Sequence, residues 1–129
     1  EIPVGAVIIQ NNQIIAKSHN QPIALHDSTA HAEINALRIA GKKLKNYRIS
    51  NSTLYVTLEP CSMCFGAMMH ARIKRIVFGA HDLKKNTYKS FLDLNNRKKI
   101  NHKIQIQIQG GVLEETCSKL LKDFFKTRR

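Results

Sequence analysis

Tryptophan is absent from this chain of 129 residues, aromatic residues make up only 6% of it, and cysteine occurs three times. Three cysteines cannot close a disulfide framework. Two of them, Cys61 and Cys64, are spaced as C-x-x-C, which points instead to metal or redox chemistry in a reducing compartment. The cytoplasm is the expected location. No apolar run approaches the roughly 20 residues that a membrane-crossing helix requires, so no membrane partner is expected. Acidic residues are also few, 9 Asp+Glu against 21 Lys+Arg, for a formal charge of +12. Such an excess suits a polyanionic partner, nucleic acid above all, although a Lys-, Ile- and Asn-rich composition set by genomic base bias is the plain alternative. From Arg72 onward the chain holds 15 of the 21 basic and 5 of the 9 acidic residues, so the basic surface is expected to be mostly C-terminal. The length encloses one hydrophobic core and predicts a single domain over 1–129.

Hydrophobic patterning supplies the elements. Val4 to Gln10 and Gln13 to His19 are β-branched-rich runs parted by Asn11-Asn12, a hairpin signal. The loop from Asn20 to Thr29 precedes a helix expected over about Ala30 to Lys45, with Ser28 or Thr29 as its cap and His31 and Glu33 in its first turn. Thr53 to Leu58 reads as a buried strand. Pro60 then opens a helix reaching about Ala71, and Ile73 to Gly79 forms the next strand. A polar, basic stretch from His81 to His102 is expected to hold a short helix near Ser90 to Asn95. Ile104 to Gln109 alternates as a half-exposed strand, Gly110-Gly111 turns the chain, and Val112 to Lys126 has helical spacing. Strands alternating with helices predict an α/β fold, a mixed sheet of about five strands with helices on both faces in a three-layer α/β/α arrangement.

The chemistry concentrates in a few residues. Catalytic zinc takes three protein ligands and leaves a fourth position for water. Cys61 and Cys64, three apart at a helix start, present both thiols the same way, and the helix N-terminus favours their thiolates. A single C-x-x-C cannot build a four-cysteine ribbon, and Cys117 has no second partner. Of the six histidines, His31 is the one followed two residues later by a carboxylate, which makes His31-Ala32-Glu33 the candidate complement. His19, His26, His70, His81 and His102 are expected as surface or hydrogen-bonded histidines, Cys117 as buried filling, and Met63, Met68 and Met69 as core or subunit-interface residues.

His31-Ala32-Glu33 followed by Pro60-Cys61-x-x-Cys64 resembles the signature of the zinc deaminases with a cytidine deaminase-like fold. The nearer resemblance, over almost the whole chain, is to the bacterial tRNA adenosine deaminases that make inosine at the wobble position. It is carried by Pro3-Val4-Gly5-Ala6, Asn20 to Ile23, His26-Asp27, Thr29 to Glu33, Thr57 to Cys61, Gly79-Ala80 with Asp82, and Asp123-Phe124-Phe125. The resemblance implies one zinc per subunit on His31, Cys61 and Cys64, with Glu33 as the catalytic proton shuttle of a hydrolytic deamination at C6 of adenine. It implies that Asn20 hydrogen-bonds the target base, that Asp82, His102 and Phe124 meet the tRNA anticodon loop, and that the protein is a homodimer. An arginine tRNA is the implied substrate.

The chain also departs from that pattern. The helix that precedes the first strand in those deaminases is not among these residues, so a trimmed sequence is expected. Lys84 to Lys89 stands where the family has a small, Gly-containing stretch, and Ser28 replaces a proline common before the His-x-Glu motif. A deaminase of free guanine, cytosine or a nucleoside is the rival on the same scaffold. An RNA-binding relative that keeps zinc without catalysis is disfavoured by the presence of Glu33.

Overall fold

The computed structural model describes residues 1–82 and 106–127. The helix expected near 90–95, the stretch Lys84 to Lys89, His102 and the first residues of the strand expected from Ile104 lie outside them. The described elements are strands β1 (Gly5–Gln10) and β2 (Gln13–His19), helix α1 (Ala32–Leu44), strand β3 (Ser52–Leu58), helix α2 (Ser62–His70), strands β4 (Arg75–Ala80) and β5 (Gln107–Gln109), and helix α3 (Glu114–Thr127).

Asn11 and Asn12 turn the first hairpin with φ of 51° and 60°. Both are left-handed, as a two-residue type I′ connection demands, and asparagine tolerates that region better than other side chains. The hairpin pairs Gln10 with Gln13 and Gly5 with His19. The five strands lie in the order β2-β1-β3-β4-β5. β1 runs antiparallel to both β2 and β3, whereas β3, β4 and β5 run parallel. The sheet is therefore mixed, as expected.

Register fixes the core. Ile8 pairs with Leu54, Leu54 with Ile76 and Ile76 with Ile108, and a second row joins Ala6, Val56 and Phe78. Ile8, Leu54, Ile76 and Phe78 have no solvent exposure, and the same cluster takes in Ala32, Ala36 and Ala40 of α1 with Cys64, Phe65 and Met68 of α2. Burying one such aliphatic side chain contributes about 1.5–3 kcal/mol. The alanines let α1 lie close to the sheet. On the other face α3 comes so near β4 that a Cβ on Gly79 would meet Cys117. Cys117 is thus half-buried against a glycine rather than core filling.

This topology positions the site. β2 and β3 share a direction because each is antiparallel to β1, and β4 is parallel to β3. The segments leaving β2, β3 and β4, beginning at Asn20, Glu59 and His81, therefore emerge at one edge of the sheet. The N-termini of α1 and α2 open onto that same edge, the usual position of ligand sites in α/β sheets.

Candidate metal centre

Both helices begin in an unusual way. The N-cap of α1 is His31 (φ −68°, ψ 156°) and that of α2 is Cys61 (φ −78°, ψ 172°), and neither side chain caps its own helix. Histidine and cysteine are not favoured cap residues; Ser, Thr, Asp and Asn are. The cap expected at Ser28 or Thr29 is corrected accordingly. Thr29 donates from its backbone N–H and its Oγ1 to Asp27 Oδ1, at 2.9 and 2.7 Å, while Arg38 Nη1 reaches Asp27 Oδ2 at 3.2 Å. Thr29 thus closes the turn before α1. Pro60, expected at the first helical position, lies one residue before the N-cap.

The side chains released from capping converge. His31 Nδ1 lies 3.6 Å from Cys61 Sγ and 3.5 Å from Cys64 Sγ. The three ligand atoms all fall within 4.8 Å of one another, a grouping found once among the described residues. Tetrahedral zinc with Zn–S of about 2.3 Å and Zn–N of about 2.0–2.1 Å requires nitrogen and sulfur to be about 3.5 Å apart. The observed spacing fits that ion, and the donor set of one imidazole and two thiolates suits it.

The electrostatics favour thiolate at one sulfur. The hydrogen bond from the Cys64 thiol pulls the Cys61 pKa down to about 5, with His31 assisting and partial burial opposing. Cys64 is held well above the ordinary thiol range, chiefly by the hydrogen bond it donates to Cys61 and then by burial. Without metal the pair shares one proton, which zinc must displace on binding. Glu33, in the first turn of α1, is 4% exposed, and burial raises its carboxyl pKa. A protonatable carboxyl thus stands at the same helix start as His31, one of three side chains that could hold a metal ion.

The family model of the MafB19-like deaminases matches residues 1–129, the whole chain. The chain is 52% identical to the tRNA-specific adenosine deaminase of Buchnera aphidicola subsp. Baizongia pistaciae, over 100% of this chain and 78% of that protein. It belongs to the tRNA-specific adenosine deaminases. The enzyme of that name from Haemophilus influenzae is 51% identical, over 100% of this chain and 74% of its own length. A solved structure from a study of A-to-I editing by tRNA:A34 deaminases at the wobble position superposes with a TM-score of 0.81 at 36% identity, covering 92% of this chain and 84% of the other. The cytidine deaminase-like fold expected from the motifs is the fold observed.

The other expected site residues of this deaminase are distributed unequally. Asn20 follows β2 directly, and its N–H donates to Val4 O at 3.0 Å. The next N–H, of Gln21, donates to Ala30 O at 2.9 Å, which sets Asn20 beside the entry to His31. The Asp82 N–H donates to Glu59 Oε1 at 3.1 Å, so Asp82 stands beside the Pro60-Cys61 turn. His102 lies outside the described residues. Phe124 belongs to α3, where its half-buried ring meets Phe125 edge-on, with centroids 5.3 Å apart. The sheet edge thus gathers Asn20 and Asp82 with the candidate ligands His31, Cys61 and Cys64 and leaves Phe124 to α3.

Two residues escaped the sequence-based expectations. Glu59 is 6% exposed, pairs with His81 Nδ1 at 3.4 Å and accepts the Asp82 N–H, so it ties the exit of β4 to the cysteine loop. Its only local signal is a carboxylate at the end of an apolar strand, just before Pro-Cys. Asn35 is the second: 7% exposed near the start of α1, where a buried amide is out of pattern. Of the methionines, Met68 is fully buried and Met63 is 38% exposed.

Proposed function

We propose that this deaminase hydrolyses the wobble adenosine of a tRNA anticodon to inosine and ammonia, with an arginine tRNA as substrate. The observation that carries the deamination chemistry is the placement of His31 Nδ1 at 3.5–3.6 Å from both cysteine sulfurs, with the buried Glu33 two residues away at the same helix start. His31, Cys61 and Cys64 would hold one zinc ion per subunit. When bound, zinc supplies the Lewis acidity that makes water a nucleophile near neutral pH.

Glu33 takes a proton from the attacking water and returns one to the adenine ring nitrogen as the C6 centre becomes tetrahedral. It then assists departure of the amino group as ammonia, so that adenosine and water give inosine and ammonia. Burial suits Glu33 to this shuttle, because a carboxyl of raised pKa gives up and regains a proton more evenly at neutral pH. Asn20 supplies an amide at the edge of the site. A side chain with both a donor and an acceptor discriminates among bases because a mismatched base leaves one of them unpaired.

Asp82, His102 and Phe124 are the proposed contacts to the anticodon loop. Unstacked bases of such a loop are held by aromatic or imidazole rings, while Lys and Arg hold the phosphates. The charge of +12 supports an RNA substrate over a free base, which gains nothing from a basic surface. Membership of a family whose relatives carry the tRNA-specific name supports it further. We also propose a homodimer in the cytoplasm, with the exposed Met63 of α2 at the subunit contact.

Substrate class is tested by zinc-loaded protein assayed for ammonia on arginine tRNA with a wobble adenosine and on free adenosine, guanine, cytosine and cytidine. Release from tRNA alone is expected. Release from a free base would keep the zinc chemistry and overturn the substrate.

A further inference from the structure

Asparagine is a poor residue for a helix interior and an expensive one to bury, because its amide competes with the backbone for hydrogen bonds. Asn35 sits in the second turn of α1 at 7% exposure. Its amide is committed outside the ordinary helical pattern. Asn35 Nδ2 donates to His19 O, sixteen residues back, at 3.0 Å, and to Ala30 O at 3.2 Å. Both donor hydrogens of one side chain are thus spent on two backbone carbonyls from separate segments.

Those carbonyls flank two residues of the proposed site. His19 is the last residue of β2 and is bonded directly to Asn20. Ala30 is bonded directly to His31, and its carbonyl also accepts the Gln21 N–H from the other side of Asn20. Asn20 itself is pinned through its N–H to Val4 O. The backbone on each side of Asn20 is therefore fastened: the His19 carbonyl to Asn35, and the Gln21 N–H to the same Ala30 carbonyl that Asn35 holds. Meanwhile the Asn35 N–H donates to His31 O at 3.0 Å, so Asn35 touches the backbone on both sides of the His31 imidazole. One side chain links the strand that presents Asn20 to the helix start that presents His31.

We infer that Asn35 is a positioning residue that sets the distance and orientation of Asn20 relative to the His31 metal ligand. It touches neither substrate nor metal. Its role with Asn20 rests on the proposed function, whereas its hold on His31 depends only on the metal centre. Orienting groups behind metal ligands typically account for about 10- to 100-fold in affinity or activity, and a displacement near 1 Å at a reacting pair costs a comparable factor.

The test is a double-mutant cycle joining Asn35→Leu with Asn20→Ala. It reads kcat and KM on the wobble-adenosine tRNA, zinc stoichiometry, and zinc release to a chromogenic chelator. Asn35→Leu removes both donors at similar volume. The expected result is a kcat lower by about 10- to 100-fold with KM for tRNA within about 3-fold of wild type, because phosphate contacts carry most RNA affinity. Zinc release should be faster than in wild type at unchanged stoichiometry. The double variant should be slower than Asn20→Ala alone by clearly less than the factor Asn35→Leu costs in wild type, since the hold on Asn20 no longer matters and only the hold on His31 remains. Effects that multiply independently, wild-type kcat in Asn35→Leu, or zinc release at the wild-type rate would each overturn the inference. If Asn35→Leu does not fold, Asn35→Ala, which also removes both donors, carries the same cycle with the same outcomes. Failure of wild type to act on tRNA would refute the proposed function, while the zinc-release comparison would still judge the link to His31.

Discussion

Replacing Glu33 with glutamine separates catalysis from stability, because the same burial that suits the carboxyl to its work penalises its charge. Glu33 is 4% exposed, and burial is the largest influence on its pKa, which lies above the ordinary 4.5. A carboxyl whose folded pKa exceeds its unfolded value costs stability as pH rises. The cost is absent below about pH 4.5, where both states hold the proton, and grows upward until the folded form also ionises. Glu33→Gln removes this ionisation while keeping shape and volume. Metal-free Glu33→Gln should therefore melt close to metal-free wild type at pH 5 and above it at pH 8. The gain at pH 8 should be about 1–3 kcal/mol, the desolvation penalty of a buried polar group with imperfect partners. For a domain of this size that is a rise in Tm of about 3–10 °C. Saturating zinc should shrink the gap, because a nearby cation compensates the carboxylate that glutamine lacks. Over the same series, turnover should fall by about 100- to 10,000-fold with zinc content unchanged, as loss of a general acid–base group implies. Thermal melting at the two pH values with and without chelator, alongside single-turnover deamination, decides the matter. Glutamine protein that retains a tenth of wild-type turnover would exclude Glu33 as the proton shuttle, and a metal-free Tm that drops relative to wild type between pH 5 and pH 8 would exclude a burial penalty on its charge.

Other predictions follow from neighbouring features. In chelator-stripped protein at pH 7, iodoacetamide should modify Cys61, whose pKa is pulled down to about 5, ahead of the fully buried Cys64, and zinc should protect it; equal labelling of the two by mass spectrometry would contradict the assigned proton sharing. Gly79→Ala should lower stability by about 1–3 kcal/mol, since the new Cβ would sit 2.7 Å from Thr57 O and against Cys117. Adding Cys117→Ala should recover only part of that Tm loss, because the β3 carbonyl cannot swing aside. Finally, apparent tRNA affinity should fall steeply between 50 and 200 mM salt, with a log–log slope of about −0.7 to −0.9 per phosphate contacted, and a flat response would argue against the basic surface as the RNA contact.

The hairpin and the strand order along the chain were legible because local signals there agree with the tertiary result. Asn11-Asn12 suits the turn that the flanking strands' twist requires, and the apolar alternation in β1 faces the core that α1 covers. Helix starts were less legible for a functional reason. His31 and Cys61 occupy the two N-cap positions without capping, and Thr29, which local preference would choose, is engaged by Asp27. Local rules give way where side chains converge on a candidate metal centre. The grouping of His31 with Cys61 and Cys64 stood out because their spacing is chemically restrictive, and the structure does bring the three ligand atoms within 4.8 Å of one another. Asn35 and Glu59 did not, since the partners that give them meaning, His19 and Asp82, lie 16 and 23 residues away and meet them only once the sheet edge has formed.

The most direct measurement is the position of the edit. Zinc-loaded protein and its Glu33→Ala counterpart are incubated with an arginine tRNA bearing a wobble adenosine, and the RNA is reverse-transcribed and sequenced, so that inosine reads as guanosine. The proposed reaction predicts an A-to-G reading at the wobble position, absent from every other adenosine and from the Glu33→Ala reaction. Adenosine persisting there after incubation with zinc-loaded protein, or an edit that survives loss of Glu33, would contradict it.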